Sequence, residues 1–321
     1  MVVACAALHA GCGGEASPQA AGGAGAGGTS TIDAGGAGSG AVNCEEVACL
    51  SREIATWVMP NPGTLGLPNP ARLTREAELV RDERTGLEWS VAIAPLGTFA
   101  AAGAFCEALV IEETAEFRLP TRIELVSLLD RTRVPAIDPR AFPDTPDDYF
   151  WSATALPDKP GFRYSVYFGA GETSSGDEAQ ASAYTRCVRG GQRRAAPRYE
   201  LDVDTARDLG TGLVWRRSVS RDPLSLDAAE RYCSGLDSQA APFRLPSDKE
   251  LQTLLTTPDP QNAGETHISA PLIDPVTFPN TPSARFATAN IPSLPPLAVD
   301  FASGFATIGN QSDLMSVRCV R

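Results

Sequence analysis

Apolar positions along the chain follow one pattern, and the pattern occurs twice. Phe99, Ala102, Cys106 and Leu109 fall on a single helical stripe behind Thr98, a candidate N-cap; Leu226, Ala229, Cys233 and Leu236 do so behind Ser225. A second helix is predicted in FRLPTRIELVSLLD, Phe117 to Asp130, and again in FRLPSDKELQTLLT, Phe243 to Thr256. Leu125, Leu128 and Leu129 keep helical spacing in the first, as Leu251, Leu254 and Leu255 do in the second. Thr121 with Glu124, and Ser247 with Glu250, fit a capping box, where hydroxyl and carboxylate satisfy each other's open backbone donors. That role accounts for both glutamates without any catalytic one.

Strands are predicted around these helices. VRDERTGLEW (Val80 to Trp89) and ARDLGTGLVW (Ala206 to Trp215) place a Thr-Gly turn between β-prone runs. SVYFGAG (Ser165 to Gly171) pairs with AVDFASG (Ala298 to Gly304), and YTRCVRGG (Tyr184 to Gly191) with SVRCVR (Ser316 to Arg321). AIDPRAFPDTP (Ala136 to Pro146) and LIDPVTFPNTP (Leu272 to Pro282) hold too much proline for a helix and read as ordered loops. Asp138 and Asp274 in them are turn acceptors or, alternatively, calcium ligands. The expected organisation is α+β, with one domain over 73–191 and a second over 198–321. The chain ends on the RCVR motif, so the second copy is expected to need no tail.

The first 72 residues differ. MVVACAALHAGCGG is apolar, and the first basic residue is Arg52. Residues 1–12 therefore look like the end of a secretory signal whose start lies upstream, since such signals open with a positive region. Leu8, Ala10 and Gly11 before Cys12 resemble a bacterial lipobox, which makes Cys12 the expected lipidation site. Residues 13–43 form an expected flexible linker: Gly13 to Val42 holds 11 glycines in 30 residues and cannot bury enough apolar surface to offset ordering. Residues 44–72 form a Pro-rich connector, with VMPNPGTLGLPNPARL from Val58 to Leu73.

Composition narrows the chemistry. The net charge of −12 disfavours a nucleic-acid partner. Only His9 and His267 are present, which excludes a histidine metal cluster. No stretch is long and apolar enough for a spanning helix, so membrane contact is expected only through an N-terminal lipid. The repeat pairs the cysteines: each half has one on a helix and one in its last strand, giving Cys106–Cys187 and Cys233–Cys319, with Cys44–Cys49 closing a small loop. An even count behind a secretion-like start suits an oxidising compartment. Zinc needs close Cys-x-x-Cys spacing, which is missing.

Taken together, TGLxW, the cysteine-bearing helix, RLPxxxEL, IDPxxFPxTP, FWSAT (Phe150 to Thr154) and RCVR resemble the Lcl C-terminal-type domain family of bacterial extracytoplasmic modules. The resemblance runs from about Leu73 to Arg321, twice. It implies a C-type-lectin-like fold in each half: two helices on short, twisted antiparallel strands with long ordered loops. The collagen-like adhesin that names the family binds sulfated polysaccharides. Here, however, residues 73–191 carry 12 basic and 19 acidic side chains (−7), and residues 198–321 carry 11 and 15 (−4), so that ligand class is not carried over. The second half also departs from the pattern, with FATAN (Phe286 to Asn290) in place of FWSAT and Ala287 where the first has Trp151. Trp151 has two readings: part of a binding face, or a core residue whose place is filled differently in the other copy.

The expected function is a non-catalytic, extracytoplasmic binding module for a glycan or a surface protein, with no cofactor and no metal. Tyr149, Trp151, Tyr164 and Tyr167 are candidates to stack on sugar faces, with Asp147 and Asp148 as acceptors for hydroxyls. The alternatives are an envelope scaffold, or an enzyme akin to the sulfatase-activating oxidases, which share the lectin-like fold but need reactive cysteines. No P-loop, dinucleotide-binding glycine pattern or nucleophile–base spacing is present. The arginine pairs Arg186 with Arg189 and Arg318 with Arg321 either bind a partner's carboxylates or satisfy buried acids and loop carbonyls.

Overall fold

The computed structural model describes residues 52–53, 55–157, 159–191, 198–236, 241–258 and 270–321. Cys12, the Cys44–Cys49 pair and His267 lie outside them. The architecture is α+β, dominated by antiparallel strands.

In the connector, β1 is Arg52–Glu53. The first repeat follows with β2 (Leu73–Glu76), β3 (Leu79–Asp82), β4 (Leu87–Gly97), α1 (Phe99–Ala108), α2 (Arg122–Ser127), β5 (Tyr149–Ala155), β6 (Phe162–Tyr167), β7 (Thr173–Asp177) and β8 (Ala183–Gly190). Its strands make one sheet in the order β2-β3-β4-β8-β5-β6-β7. The last strand thus inserts at the centre, antiparallel to β4 and parallel to β5 at Phe150 and Tyr184. The second repeat contributes β9 (Tyr199–Leu201), β10 (Thr205–Asp208), β11 (Val214–Arg216), α3 (Leu226–Ser234), α4 (Asp248–Gln252), β12 (Thr257–Pro258), β13 (Arg285–Ala287), β14 (Leu297–Asp300) and β15 (Ala306–Ile308). Its closing segment joins two three-stranded sheets through isolated bridges, Trp215 to Val320 and, in parallel, Phe286 to Ser316. These reproduce Trp89 with Val188 and Phe150 with Tyr184, so both halves share one topology.

The recurring motifs are explained by structural contacts. Asp82 and Asp208 accept backbone N–H bonds from Arg84 and Gly210 (both 2.9 Å), closing the turn that Gly86 and Gly212 complete at φ 70° and 74°. Both capping boxes form. Each box glutamate is also forked by the arginine of its own RLP motif, Arg118 to Glu124 at 2.7 Å twice, and Arg244 to Glu250 at 2.7 and 2.8 Å. Asp138 and Asp274 each accept from the backbone N–H two residues on, a turn role. Arg186 is fully buried, and among the described residues no carboxylate pairs with it. It donates to the carbonyls of Ser90 and Val91 and to Thr145 Oγ1, and lies over the Phe142 ring. Arg318 repeats this with Arg216, Arg217, Thr281 and Phe278. Burial pulls both guanidinium groups below their usual range. The RCVR arginine is therefore tied to the threonine of FPxTP in both copies.

Two details differ from the pattern-based expectation. Ser225 holds the N-cap position of α3 without making a side-chain cap bond. The second helix of each repeat is short, because i→i+3 bonds from Leu128 and Leu129 tighten its end before the leucine stripe runs out. Those leucines still enter the core.

Disulfides Cys106–Cys187 and Cys233–Cys319 staple the cysteine-bearing helix of each repeat to its last segment, as the repeat predicts. In the chain-entropy model, closures of 81 and 86 residues each contribute roughly 4–5 kcal/mol.

Among the described residues, apolar clusters do not mix the repeats. One gathers Trp89, Phe142, Phe150 and Phe168, and another Trp215, Phe278, Phe286 and Phe301. The repeats are nevertheless clasped through polar groups. Arg122, at the start of α2, donates to Gln252 Oε1 at the end of α4 (2.9 Å). In return Lys249, near the start of α4, donates to the carbonyls of Ser127 and Leu129 at 2.7 and 2.8 Å. Tyr164 reaches Ser303 O at 2.6 Å, and Ala306 N donates to Thr173 Oγ1 at 2.7 Å. The connector laces both halves: Ala55 and Met59 pack in the first core, β1 pairs with β12, and Asn61 bonds Ser247 and Glu250. The halves are thus not independent beads joined by a strap.

Candidate functional site

The six candidate ligand-binding residues divide into two groups. Trp151 and Tyr164 are buried, which corrects their assignment to a stacking surface. Trp151 is 1% exposed and donates from Nε1 to Gly97 O at 2.8 Å, with Phe99 edge-on to its ring. Gly176 lies under it; a Cβ there would come within 2.6 Å of the indole. In the second repeat the same cluster holds Ala287 and Met315 where the first holds Trp151 and Ala183. One large and one small residue have exchanged places. Tyr164 lies between the repeats, against Phe305 and under the Arg122 guanidinium.

Asp147, Asp148, Tyr149 and Tyr167 do come together at the surface. Tyr149 and Tyr167 are cross-strand partners on β5 and β6, so the pleat sets them side by side, ring centroids 4.9 Å apart and planes tilted by 32°. Tyr149 is 38% exposed and Tyr167 partly so. Three carboxylates surround the pair. Hydrogen bonding to Asp147, ahead of burial and nearby negative charge, raises the Tyr167 phenol, while burial and then Glu172 and Asp148 raise that of Tyr149. Both hydroxyls therefore stay protonated donors. Asp148 Oδ1 accepts from Tyr149 N at 2.7 Å, which fixes the approach to the strand.

Sequence reasoning missed two supports of this patch. Gly169 forms its floor, since a Cβ there would overlap Asp147 Oδ1 and the Tyr167 hydroxyl. Glu172 is held from the other repeat, accepting from Ile308 N at 3.1 Å. The glycine stands in the quoted SVYFGAG motif, but only the loop's closure over Tyr167 reveals why it must be small. The patch has no twin: the register that pairs Tyr149 with Tyr167 pairs Arg285 with Asp300 in the second repeat, and Arg285 bonds Asp313 at 3.3 Å. Among the described residues no group of three or more potential metal ligands gathers, and no helix is long and apolar enough to cross a membrane.

The structure defines a tandem protein, with two disulfide-stapled α+β repeats of one plan and an aromatic patch on the first alone. The chain belongs to the Lcl C-terminal domain family, whose model matches it twice, over residues 78–189 and 204–321. Among curated proteins, none is significantly similar to it in sequence.

Proposed function

We propose that this is a non-catalytic binding module of the bacterial cell surface, built from tandem C-type-lectin-like domains, whose ligand is a glycan or an envelope or surface protein. The observation that carries the reading is the exposed Tyr149–Tyr167 pair with Asp147, Asp148 and Glu172 around it. Aromatic faces pack on sugar C–H surfaces or on apolar side chains, and carboxylates accept from hydroxyls or amides. The acidic surround favours a neutral or cationic ligand over a sulfated one. Anchoring by a lipid at Cys12 is part of the same proposal. The bridged state of Cys106, Cys187, Cys233 and Cys319 supports a non-enzymatic role, because oxidase chemistry of the fold kin needs free thiols. The second repeat, with Arg285 and Asp300 in place of the tyrosines, acts as a buttress, which gives the scaffold role a share of the molecule.

The test is a glycan array together with a pull-down from the native envelope, run on the full chain and on Tyr149→Ala/Tyr167→Ala. Retention by the native chain and its loss in the double variant are expected. Empty results in both formats, or retention that ignores the tyrosines, contradict the proposal.

A further inference from the structure

The tyrosine patch is a row of side chains on one face of the first sheet. Tyr149 stands opposite Tyr167, their ring centroids 4.9 Å apart. Glu172 stands opposite Tyr167 in turn, continuing the register of Val166 with Thr173, and Tyr167 N donates to Glu172 O at 2.8 Å. Cross-strand partners of this kind share a face. Asp147 and Asp148 enter from the start of β5, one bonded to the Tyr167 hydroxyl and the other accepting from Tyr149 N at 2.7 Å. Ile308 of the second repeat, 40% exposed, closes the far end with its N–H on Glu172 Oε1 at 3.1 Å.

Elsewhere this chain covers aromatic rings with its own guanidinium groups: Arg186 over Phe142 at 4.4 Å, and Arg163 over Phe99 and Arg318 over Phe278, both at 4.6 Å. Among the described residues no cation covers Tyr149 or Tyr167, and no basic side chain pairs with Asp147, Asp148 or Glu172. Arg285, which touches Ile308 O at 3.5 Å, is held by Asp313 at 3.3 Å. The patch therefore presents two aromatic rings and three uncompensated negative charges. Those carboxylates do not converge as a metal ion requires. Their charge is spread along the row, which suits an extended organic cation. A guanidinium is planar, so it lies flat on a tyrosine while its edge donates to carboxylates at the side; an ammonium is compact and has no face to stack. One exposed cation–π contact with screened ion pairs holds a free cation only weakly, so a partner must bring it on a larger surface.

We propose that the patch docks an arginine side chain of a partner protein, its guanidinium stacked on the Tyr149–Tyr167 pair and donating to the carboxylates of Asp148 and Glu172, with Ile308 against its aliphatic stem. This rests on the reading of the tyrosine patch as the binding surface, and it selects a protein over a glycan as what binds there.

The experiment titrates the isotope-labelled full chain with end-capped Gly-Arg-Gly, its lysine and citrulline counterparts, and N-acetylglucosamine, following backbone amide shifts. At millimolar peptide the arginine form is expected to shift Tyr149, Tyr167, Gly169, Glu172 and Ile308. The lysine form should bind severalfold more weakly, and citrulline, which keeps the shape without the charge, at least about tenfold more weakly. Glu172→Gln keeps an acceptor for Ile308 N and should weaken the arginine peptide about two- to fivefold, the range of a surface ion pair. Tyr149→Ala/Tyr167→Ala should abolish the shifts, and raising the ionic strength to about 1 M should reduce them. Absence of patch shifts with the arginine peptide, or equal binding of citrulline, overturns the proposal. Patch shifts from the sugar alone overturn it too, while leaving the tyrosine pair a glycan site. Concentration-dependent patch shifts in the free chain, which would place a second copy there, overturn it equally.

Discussion

Trp151→Ala separates packing from binding at one position. The indole is buried, its N–H is bonded to Gly97 O, and Phe99 packs edge-on against it. Truncating such a residue costs about 3–5 kcal/mol through lost transfer energy and a residual cavity. The second repeat shows how the volume is made up, with Met315 beside Ala287 where the first has Ala183 beside Trp151. Ala183→Met alone should overpack the first repeat, by about 1–3 kcal/mol. In the Trp151→Ala background the same methionine enters the vacated space, and the pair should couple favourably by about 1–2 kcal/mol, inside the range for contacting residues. Urea unfolding followed by far-UV circular dichroism gives the four corners of the cycle. The double variant should also keep its ligand, because Trp151 contributes no surface. If the two changes add within about 0.5 kcal/mol, the exchange of sizes is not compensation and the reasoning fails.

Burial pushes the Lys249 ammonium down to about 8, opposed by Asp248, Asp82, Asp130 and Glu250, while the unfolded chain keeps that proton to about 10.5. Between those values the unfolded state binds more protons, so stability should rise with pH, by at most about 1.4 kcal/mol per unit; Lys249→Met should flatten the rise in a pH series of urea midpoints, and an unchanged slope refutes the assignment. The neutral amine still offers N–H donors to Ser127 O and Leu129 O, which is why the clasp should survive alkaline conditions. Removing the first staple with Cys106→Ala/Cys187→Ala should lower stability by about 2–5 kcal/mol, read from chemical unfolding. Gly169→Ala should weaken ligand capture by pushing Asp147 and the Tyr167 hydroxyl apart, with a melting temperature close to that of the native chain; unaltered capture removes Gly169 from the site.

Much of the fold is legible because local chemistry specifies it. Thr121 and Glu124 can only satisfy each other at a helix start, and the Thr-Gly steps call for a left-handed turn. The cysteine pairing follows from repetition, since each half must close on itself. The repetition of RLPxxxEL, FPxTP and RCVR in both halves misleads as to function. Arg118, Thr145 and Arg186 are taken up by internal contacts, leaving recognition to residues outside the shared pattern. Trp151 and Tyr149 lie two residues apart on one strand, and no periodicity tells which is covered; Gly176 and β7 decide it from afar. The clasp was illegible for a similar reason. Lys249 reads as a solvated first-turn residue until α2 is placed across from it.

The central claim is that two copies of one plan are held together through α2 and α4 rather than strung loosely in series. Pulsed dipolar spectroscopy between spin labels at Val110 and Leu314, 58% and 70% exposed, tests it most directly, with attachment through a ketone-bearing amino acid that leaves the cysteines untouched. A single narrow distance distribution is predicted, broadened by Lys249→Ala combined with Arg122→Ala. A broad distribution in the native chain would contradict the account.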